Sequence, residues 1–480
     1  MKINLSKVAS SAILATMLGG IVAPANAANW LMLQGTEPEG SAPRAKVWGF
    51  IQPEYTKTDG TKIKAGPWKG EDMILNQMRP DLKSSEGFNM LRARLGVRGT
   101  GMPLDSNVNY FLLAEFGNNG ITRGDGGSAK VTDASVTLNH LKDFARFRVG
   151  TFKTPGSEEG LQAIHVFDYI NFTGATNGLL LERFFKYDGS GTFVSPNAGP
   201  NTASDSGQVN KPTGPVGAFR DTGIQVFNSF NLSGWDTSYA YMVGNGNGIT
   251  RGDNDGEMET YAYLSTEKVF GGKGPRRQGF KLFAWNQEGK RNLTLEKGNA
   301  VASDDEEKQF DRKRSGYGFT FKKGNYRAAF EAIKADGMIF NGTDGGAVAG
   351  TKSKLPAGAA GKFTTNGDVG GDGQLNASFN MEPIGKADGM YLHVGYAITP
   401  KLEVDFRYDE YNRMTDVAAK ERKFETNTLG VQYFFNKKSR LIINYEQREA
   451  EAPNLPADHN ANKILDSVDD RLSAQILVIF

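Results

Sequence analysis

The sequence has no cysteine in 480 residues. That excludes a disulfide scaffold, a thiol nucleophile and a covalently attached c-type haem within the chain. Histidine is almost as scarce. The four, His140, His165, His393 and His459, are scattered, and none stands in an HExxH pattern or beside a nucleophile-elbow serine. No enzyme activity, metal or cofactor is expected. Net charge is missing too. Residues 1–27 hold two of the 56 lysines and arginines and no acid, so the remainder is balanced by the 54 acids. A neutral chain gives no argument for nucleic acid as a partner. Beyond residue 27 no apolar run approaches the ~18 residues that a membrane-spanning helix needs.

Residues 1–27 read as a secretory signal. Lys2 and Lys7 precede an apolar stretch over 8–22, and Ala25-Asn26-Ala27 forms an A-x-A cleavage site. A spanning helix there would be too short and wrongly flanked. The chain is therefore expected to be exported.

What the sequence has in quantity is glycine (59), phenylalanine (30) and tyrosine (16), and segments that alternate. In residues 88–100, FNMLRARLGVRGT, Leu91, Ala93, Leu95 and Val97 share one face of a strand, and Arg92, Arg94, Gly96 and Arg98 share the other. A soluble sheet would pack the oily face on a core. A transmembrane barrel would turn it to lipid and the arginines to a wet lumen. The mean hydropathy of −0.45 suits either, because a barrel hides its apolar residues at every second position.

The rest of the chain favours the barrel. Residues 28–44 read as a short periplasmic lead-in, and the barrel is expected over 45–480. After a strand at 45–55, long Gly/Asp-rich connections alternate with short turns at 101–106, 139–144, 231–234, 323–325, 399–401 and 436–439. Residues 309–322 set Arg312 and Arg314 opposite Tyr317, Phe319 and Phe321, and 469–480 line up Leu472, Ala474, Ile476, Val478 and Phe480. The expected fold is all-β: an antiparallel barrel of about sixteen strands, with long loops at one end and short turns at the other. A secreted β-sandwich or repeat protein has no need to confine its long loops to one end.

Several segments resemble the phosphate-selective porin O/P family of Gram-negative outer membranes: VNYFLLAEFG (108–117), RFRVGTFKTPGSEEG (146–160), GLLLERFF (178–185), RDTGIQVF (220–227), YMVGNGNG (241–248) and NTLGVQYFFN (427–436). Phe480, ending an amphipathic strand, is similar to the assembly signal of outer-membrane proteins, which implies the barrel assembly machinery as a partner. The resemblance implies a homotrimer of sixteen-stranded pores in outer-membrane lipid and lipopolysaccharide. It also implies a third loop, over 153–215, folded inward as a constriction, and lumenal arginines that pass anions along a ladder.

Candidates for the ladder are Arg92, Arg94, Arg98, Arg146, Arg148, Arg312 and Arg314, whose planar donors suit oxyanions. The bland alternative is that they pair with lumenal acids and brace the wall. The constriction departs from the family pattern. Between Lys153 and Arg183 there is no lysine or arginine, only Glu158, Glu159, Asp168 and Glu182, with His165. Acids in the neck would repel a phosphate dianion. The expected function is a porin with a water-filled channel for small hydrophilic solutes, anions such as phosphate among them, of weak or moderate selectivity. The alternative is a structural barrel or adhesin that scaffolds a partner protein. GITRGD occurs at 120–125 and 248–253, where equivalent hairpin turns are a plainer reading than adhesion. Asp253, Asp255, Glu257 and the acids of 304–307 read as solvated loop charge rather than cation ligands bridging lipopolysaccharide.

Overall fold

A strand with one oily and one charged face still carries backbone donors and acceptors along both edges, and only closure of the sheet satisfies them all. In the computed structural model the sequence does close, into an antiparallel barrel of sixteen strands. The structure describes residues 29–36, 44–58, 85–101, 105–118, 129–181, 217–249, 256–272, 276–296, 306–340 and 384–480, with short pieces of the intervening loops. The signal segment 1–27, the first GITRGD and residues Glu182, Asp255, Asp304 and Asp305 lie outside the described residues.

In chain order the wall strands are β1 Lys46–Thr58, β2 Ser85–Thr100, β3 Val108–Glu115, β4 Lys130–Leu138, β5 Arg146–Lys153, β6 Arg220–Leu232, β7 Trp235–Gly244 and β8 Glu259–Gly271. The second half comprises β9 Gln278–Glu296, β10 Glu306–Lys323, β11 Tyr326–Asp336, β12 Lys386–Thr399, β13 Leu402–Arg413, β14 Arg422–Asn436, β15 Ser439–Glu451 and β16 Arg471–Ile479. Each pairs with its chain neighbours, and β1 also pairs with β16 in the register Phe50↔Ile479, Glu54↔Gln475, Thr58↔Arg471. Phe480 completes the seam, donating from its N to the Gly49 carbonyl at 3.0 Å and accepting from the Gly49 N at 3.2 Å. Gly49 makes room for its ring, since a Cβ there would come within 2.5 Å of it.

The pleat sorts side chains as the alternation predicts. Along β13, Phe406 points outward, whereas Asp405, Arg407, Asp409, Tyr411 and Arg413 are buried inside. Leu95, Leu112, Val149, Leu264, Leu282, Leu392, Leu429 and Ile476 cover the exterior. Exterior ring pairs gather at the short-turn end, Phe270 with Phe321, Tyr326 with Tyr396 and Tyr433 with Phe435, and Tyr55 with Phe88 stands at the other.

Between β5 and β6 the chain turns inward and crosses the lumen. This segment carries the one-turn helices α1 (Glu158–Leu161) and α2 (Gly174–Leu179), capped by Ser157 and Thr173 respectively. Two short strands farther along it, Phe193–Val194 and Val209–Pro212, extend the sheet beyond β9. The loop's apolar side chains build a core inside the barrel. Ile164, Phe167 and Tyr169 pack with Phe50 and Leu477 of the seam; Leu179 packs with Phe283, Ile333 and Tyr411 of the far wall.

Residues 29–36, part of the expected lead-in, lie within the short-turn end of the barrel. A 3-10 turn over Trp30–Leu33 buries Leu31. Its carbonyls are claimed from the wall: Arg148 donates to Leu31 O at 3.1 Å and to Gln34 O, and Asn139 donates to Gly35 O at 3.1 Å. A segment of unpaired backbone enters a lumen only where polar wall groups satisfy it, and these do.

Candidate functional site

Burying a charge is costly unless it is paired and hydrogen-bonded, and the described part of the inward loop carries three carboxylates into the lumen. Each meets a partner on the wall. Glu158 accepts from Trp30 Nε1 at 2.8 Å and pairs with Lys281 of β9. Glu159 holds Thr173, the cap of α2, accepting from its Oγ1 at 2.6 Å and its N at 3.1 Å, and lies 3.4 Å from Arg407 of β13. Asp168 accepts from Arg276 at 2.8 Å and Gln432 at 3.2 Å, with Arg327 at 3.5 Å and Arg440 at 3.8 Å.

The wall also holds the loop by its backbone. Asp409 accepts from Gly174 N at 2.8 Å, and Asn444 accepts from Ile170 N at 2.8 Å. Arg440 donates to the Phe167 carbonyl at 2.5 Å and Arg407 to that of Asn171 at 3.1 Å. Glu331 of β11 accepts from Ser157 Oγ at 3.0 Å and Glu158 N at 3.2 Å. Lys153, at the foot of the loop, donates to the Gly160 and Gln162 carbonyls at 2.7 Å each. Gly178 lets α2 lie against Tyr411, where a Cβ would come within 2.7 Å of the ring.

Two loop groups have shifted ionisation. Burial, reinforced by Arg440 and Lys153, lowers the His165 imidazole to about 4. Its ring sits 5.2 Å from Phe50 and 6.0 Å from Trp48. Burial pushes the Asp168 carboxyl up, but Arg327 and Arg276 together outweigh it and hold the group below the usual carboxylate range.

The seven arginines read from the sequence lie on the inner face or at its rim, mostly in bonds to the protein. Arg94 pairs with Glu115 at 2.7 Å, and Arg92 donates to Gln52 at 3.3 Å. Arg98 stands 5.9 Å over the Trp48 ring. Arg146 donates to Asn139 at 2.9 Å and Arg148 to the N-terminal turn. Arg312 pairs with Glu259 at 2.6 Å. Arg314 donates to the carbonyls of Leu179, Gly337 and Met338 at 2.8–2.9 Å, which ties α2 to β10.

The cations that meet the loop were not singled out from the sequence: Arg276 in the turn before β9, Lys281, Arg327, Arg407 and Arg440. Their signal was available, because each occupies a wall strand or a short turn. Nothing local said that these, rather than Arg92 or Arg148, would face the acids. Between loop and wall, on the short-turn side, lies a cavity of about 150 Å³ edged by Trp30, Asp168, Tyr169, Arg276, Lys322 and Arg327. The histidines stay apart: His140 pairs with Asp105, His393 with Asp405 at 3.1 Å, and His459 caps a terminal helix. No group of three or more potential metal ligands occurs among the described residues.

No family model and no curated protein matches the sequence. Among solved structures, the chain is similar to an anion-selective porin from Comamonas acidovorans, with 14% identity, 91% of this chain and 99% of that one covered, and a TM-score of 0.48. It is similar to OmpF of Salmonella typhi in complex with daunomycin at 12% identity, covering 91% and 97%, with a TM-score of 0.48. A BenF-like porin from Pseudomonas fluorescens matches at 9% identity over 91% and 98%, with a TM-score of 0.39.

Proposed function

We propose that the chain is an outer-membrane porin of Gram-negative type, a passive channel for small hydrophilic solutes. One observation carries this reading: a closed barrel with an oily exterior and a charged interior is crossed by a loop whose acids face wall cations. The exterior suits hydrocarbon, and the ring pairs at its two ends suit the membrane–water interfaces. A neck with acids on one side and guanidiniums on the other orients a solute without trapping it. The competing reading, a barrel sheathing a partner protein, needs a clear bore, and the inward loop occupies it.

Selectivity is weak or moderate on this reading. The loop acids that would repel an anion are matched by Lys281, Arg276, Arg327 and Arg407, and the expected ladder arginines are largely engaged as braces. Phosphate is one permeant solute among several. The assembly is a homotrimer. Strands β3, β4 and β5 have 8, 9 and 8 residues. At ~3.3 Å per residue and ~45° tilt such strands reach only about 19–21 Å, short of the ~25 Å apolar band, so a neighbouring barrel belongs against them. Residues 1–27 are the signal, Phe480 the assembly signal, and lipopolysaccharide surrounds the long loops.

The test is conductance in planar bilayers under a salt gradient, on protein that also runs as a heat-sensitive trimer in mild detergent. Stepwise ohmic conductance is expected. Protein that folds, inserts and gives no steps would overturn the reading.

A further inference from the structure

We infer that the cavity on the short-turn side of the inward loop is a binding site for small aromatic monocarboxylates, which makes them favoured solutes of the proposed channel. This rests on the porin reading and adds a substrate class to it. Among the described residues, two donor groups lining the cavity make no side-chain hydrogen bond at all, whereas Arg407 and Glu158, which carry one unbonded atom each, are engaged through their other atoms. Lys322 of β10 lines it and, among the described residues, makes no hydrogen bond or ion pair. Its charged neighbours are Arg276 and Arg327, with Asp168 and Glu403. Tyr169 lines it from the loop, is 3% exposed, and its hydroxyl has no hydrogen-bond partner.

The committed groups narrow the ligand. Arg276 donates to Asp168 and Glu403 at 2.8 Å each, and Arg327 is held by Glu403 and Asp405. A phosphate dianion would have to displace those carboxylates to gather enough donors, whereas a monoanion needs only the ammonium and the phenol. The remaining charged lining is paired off, Glu158 with Lys281, Glu159 with Arg407 and Glu267 with Arg277, and beside it stand the rings of Trp30 from the N-terminal segment, Tyr391 from β12 and Tyr169 itself. A bare inorganic anion gains nothing from those rings, and a flat apolar body gains their burial. One carboxylate on one aromatic ring satisfies both halves, in a cavity of about 150 Å³.

The probe is benzoate, compared with acetate, phosphate and cyclohexylamine on the full-length protein. In planar bilayers benzoate is expected to reduce the chloride current in a saturable way, at concentrations where acetate and phosphate do not. Calorimetric titration of the detergent-solubilised trimer should show the same order. Lys322→Gln should weaken benzoate binding about tenfold or more, the usual effect of losing a charge-assisted hydrogen bond. Tyr169→Phe, which leaves the ring and removes only the hydroxyl, should weaken it severalfold. Both variants must retain heat-modifiable migration for the comparison to count. Conductance with benzoate no better than acetate, phosphate blocking more tightly than benzoate, or cyclohexylamine binding as well as benzoate would each overturn the inference and leave the porin reading standing. Loss of conductance in the unmodified protein would instead sink the porin reading, and the titration would still decide whether the site binds benzoate.

Discussion

Replacing Asp168 by asparagine removes one negative charge from the place where the inward loop meets the cationic wall, at nearly constant volume. Arg276, Arg327 and Arg440 all lie within 3.8 Å of this carboxylate. Arg276 and Arg327 keep Glu403 and Asp405 as partners in the variant. The wall therefore remains ordered but gains about one unit of uncompensated positive charge. An ion passing ~6 Å away through a medium of effective dielectric ~40 would feel a change of roughly 1.4 kcal/mol, about a tenfold change in relative anion occupancy. The same arithmetic applies to Arg92→Gln with the opposite sign, and it shrinks with the distance of Arg92, on β2, from a neck at Asp168.

The assay is the reversal potential of single channels under a salt gradient. Asp168→Asn should move it toward anions by several times the opposite movement caused by Arg92→Gln. The loop should also hold less firmly, since Asp168 accepts from both Arg276 and Gln432, and lost bonds to a charged group cost about 1.5–3 kcal/mol each. A normal conductance with an unmoved reversal potential would show that permeating ions do not pass Asp168. The neck would then have to be sought elsewhere in the lumen.

Arg94→Gln removes the cation paired with the fully buried Glu115, which still accepts from Ala93 N and Gly117 N, and should cost about 3 kcal/mol, read as a lower temperature for the mobility shift on gels; an unchanged temperature would count against the pair. His165 is neutral in the folded loop with its ionisation lowered to about 4, while an unfolded histidine takes its proton near 6.5. Its contribution is complete above pH ~6.5, falls by up to about 3 kcal/mol as the pH drops to ~4, and changes no further below that. Limited proteolysis of the inward loop should follow that window, and His165→Gln should flatten it. Deleting Phe480 removes the ring seated over Gly49 and the last two hydrogen bonds of the β1–β16 seam. Barrel yield should drop while export continues, and normal assembly would refute the role.

The wall was legible because its code is local. Period-two alternation in Leu91–Arg94–Leu95 or Phe406–Arg407 states which side chain faces which way, and the long/short rhythm of connections states which end is which. The interior was less legible because its pairings are not local. Glu159 meets Arg407 and Asp168 meets Arg440 across more than 240 residues of sequence, and any lumenal arginine satisfies the same alternation. The acids at 158, 159 and 168 could be named, but their counter-ions could not. The lead-in is a related case. Short, polar and proline-bearing, residues 28–44 look like a solvated strap, and it is bonds with Arg148, Asn139 and Ser238 of the wall and Glu158 of the loop that hold part of it inside.

That placement bears on how the lumen can pass anything at all. Each described loop acid is matched by a wall cation, so the place where loop meets wall presents little net charge although it is dense with charged groups. A solute then responds to the few groups without a partner and to the apolar surface between them, rather than to the number of arginines. Lys322 and the Tyr169 hydroxyl are such groups, and Trp30 is such a surface. Trp30 belongs to the N-terminal segment yet is bound through Nε1 to Glu158, so the segment, the loop and Lys281 share one carboxylate. A change in any of the three alters the others' hold on Glu158. On the proposed reading, selectivity therefore rests on that junction, where the N-terminal segment and the loop meet the wall, and not on any single strand.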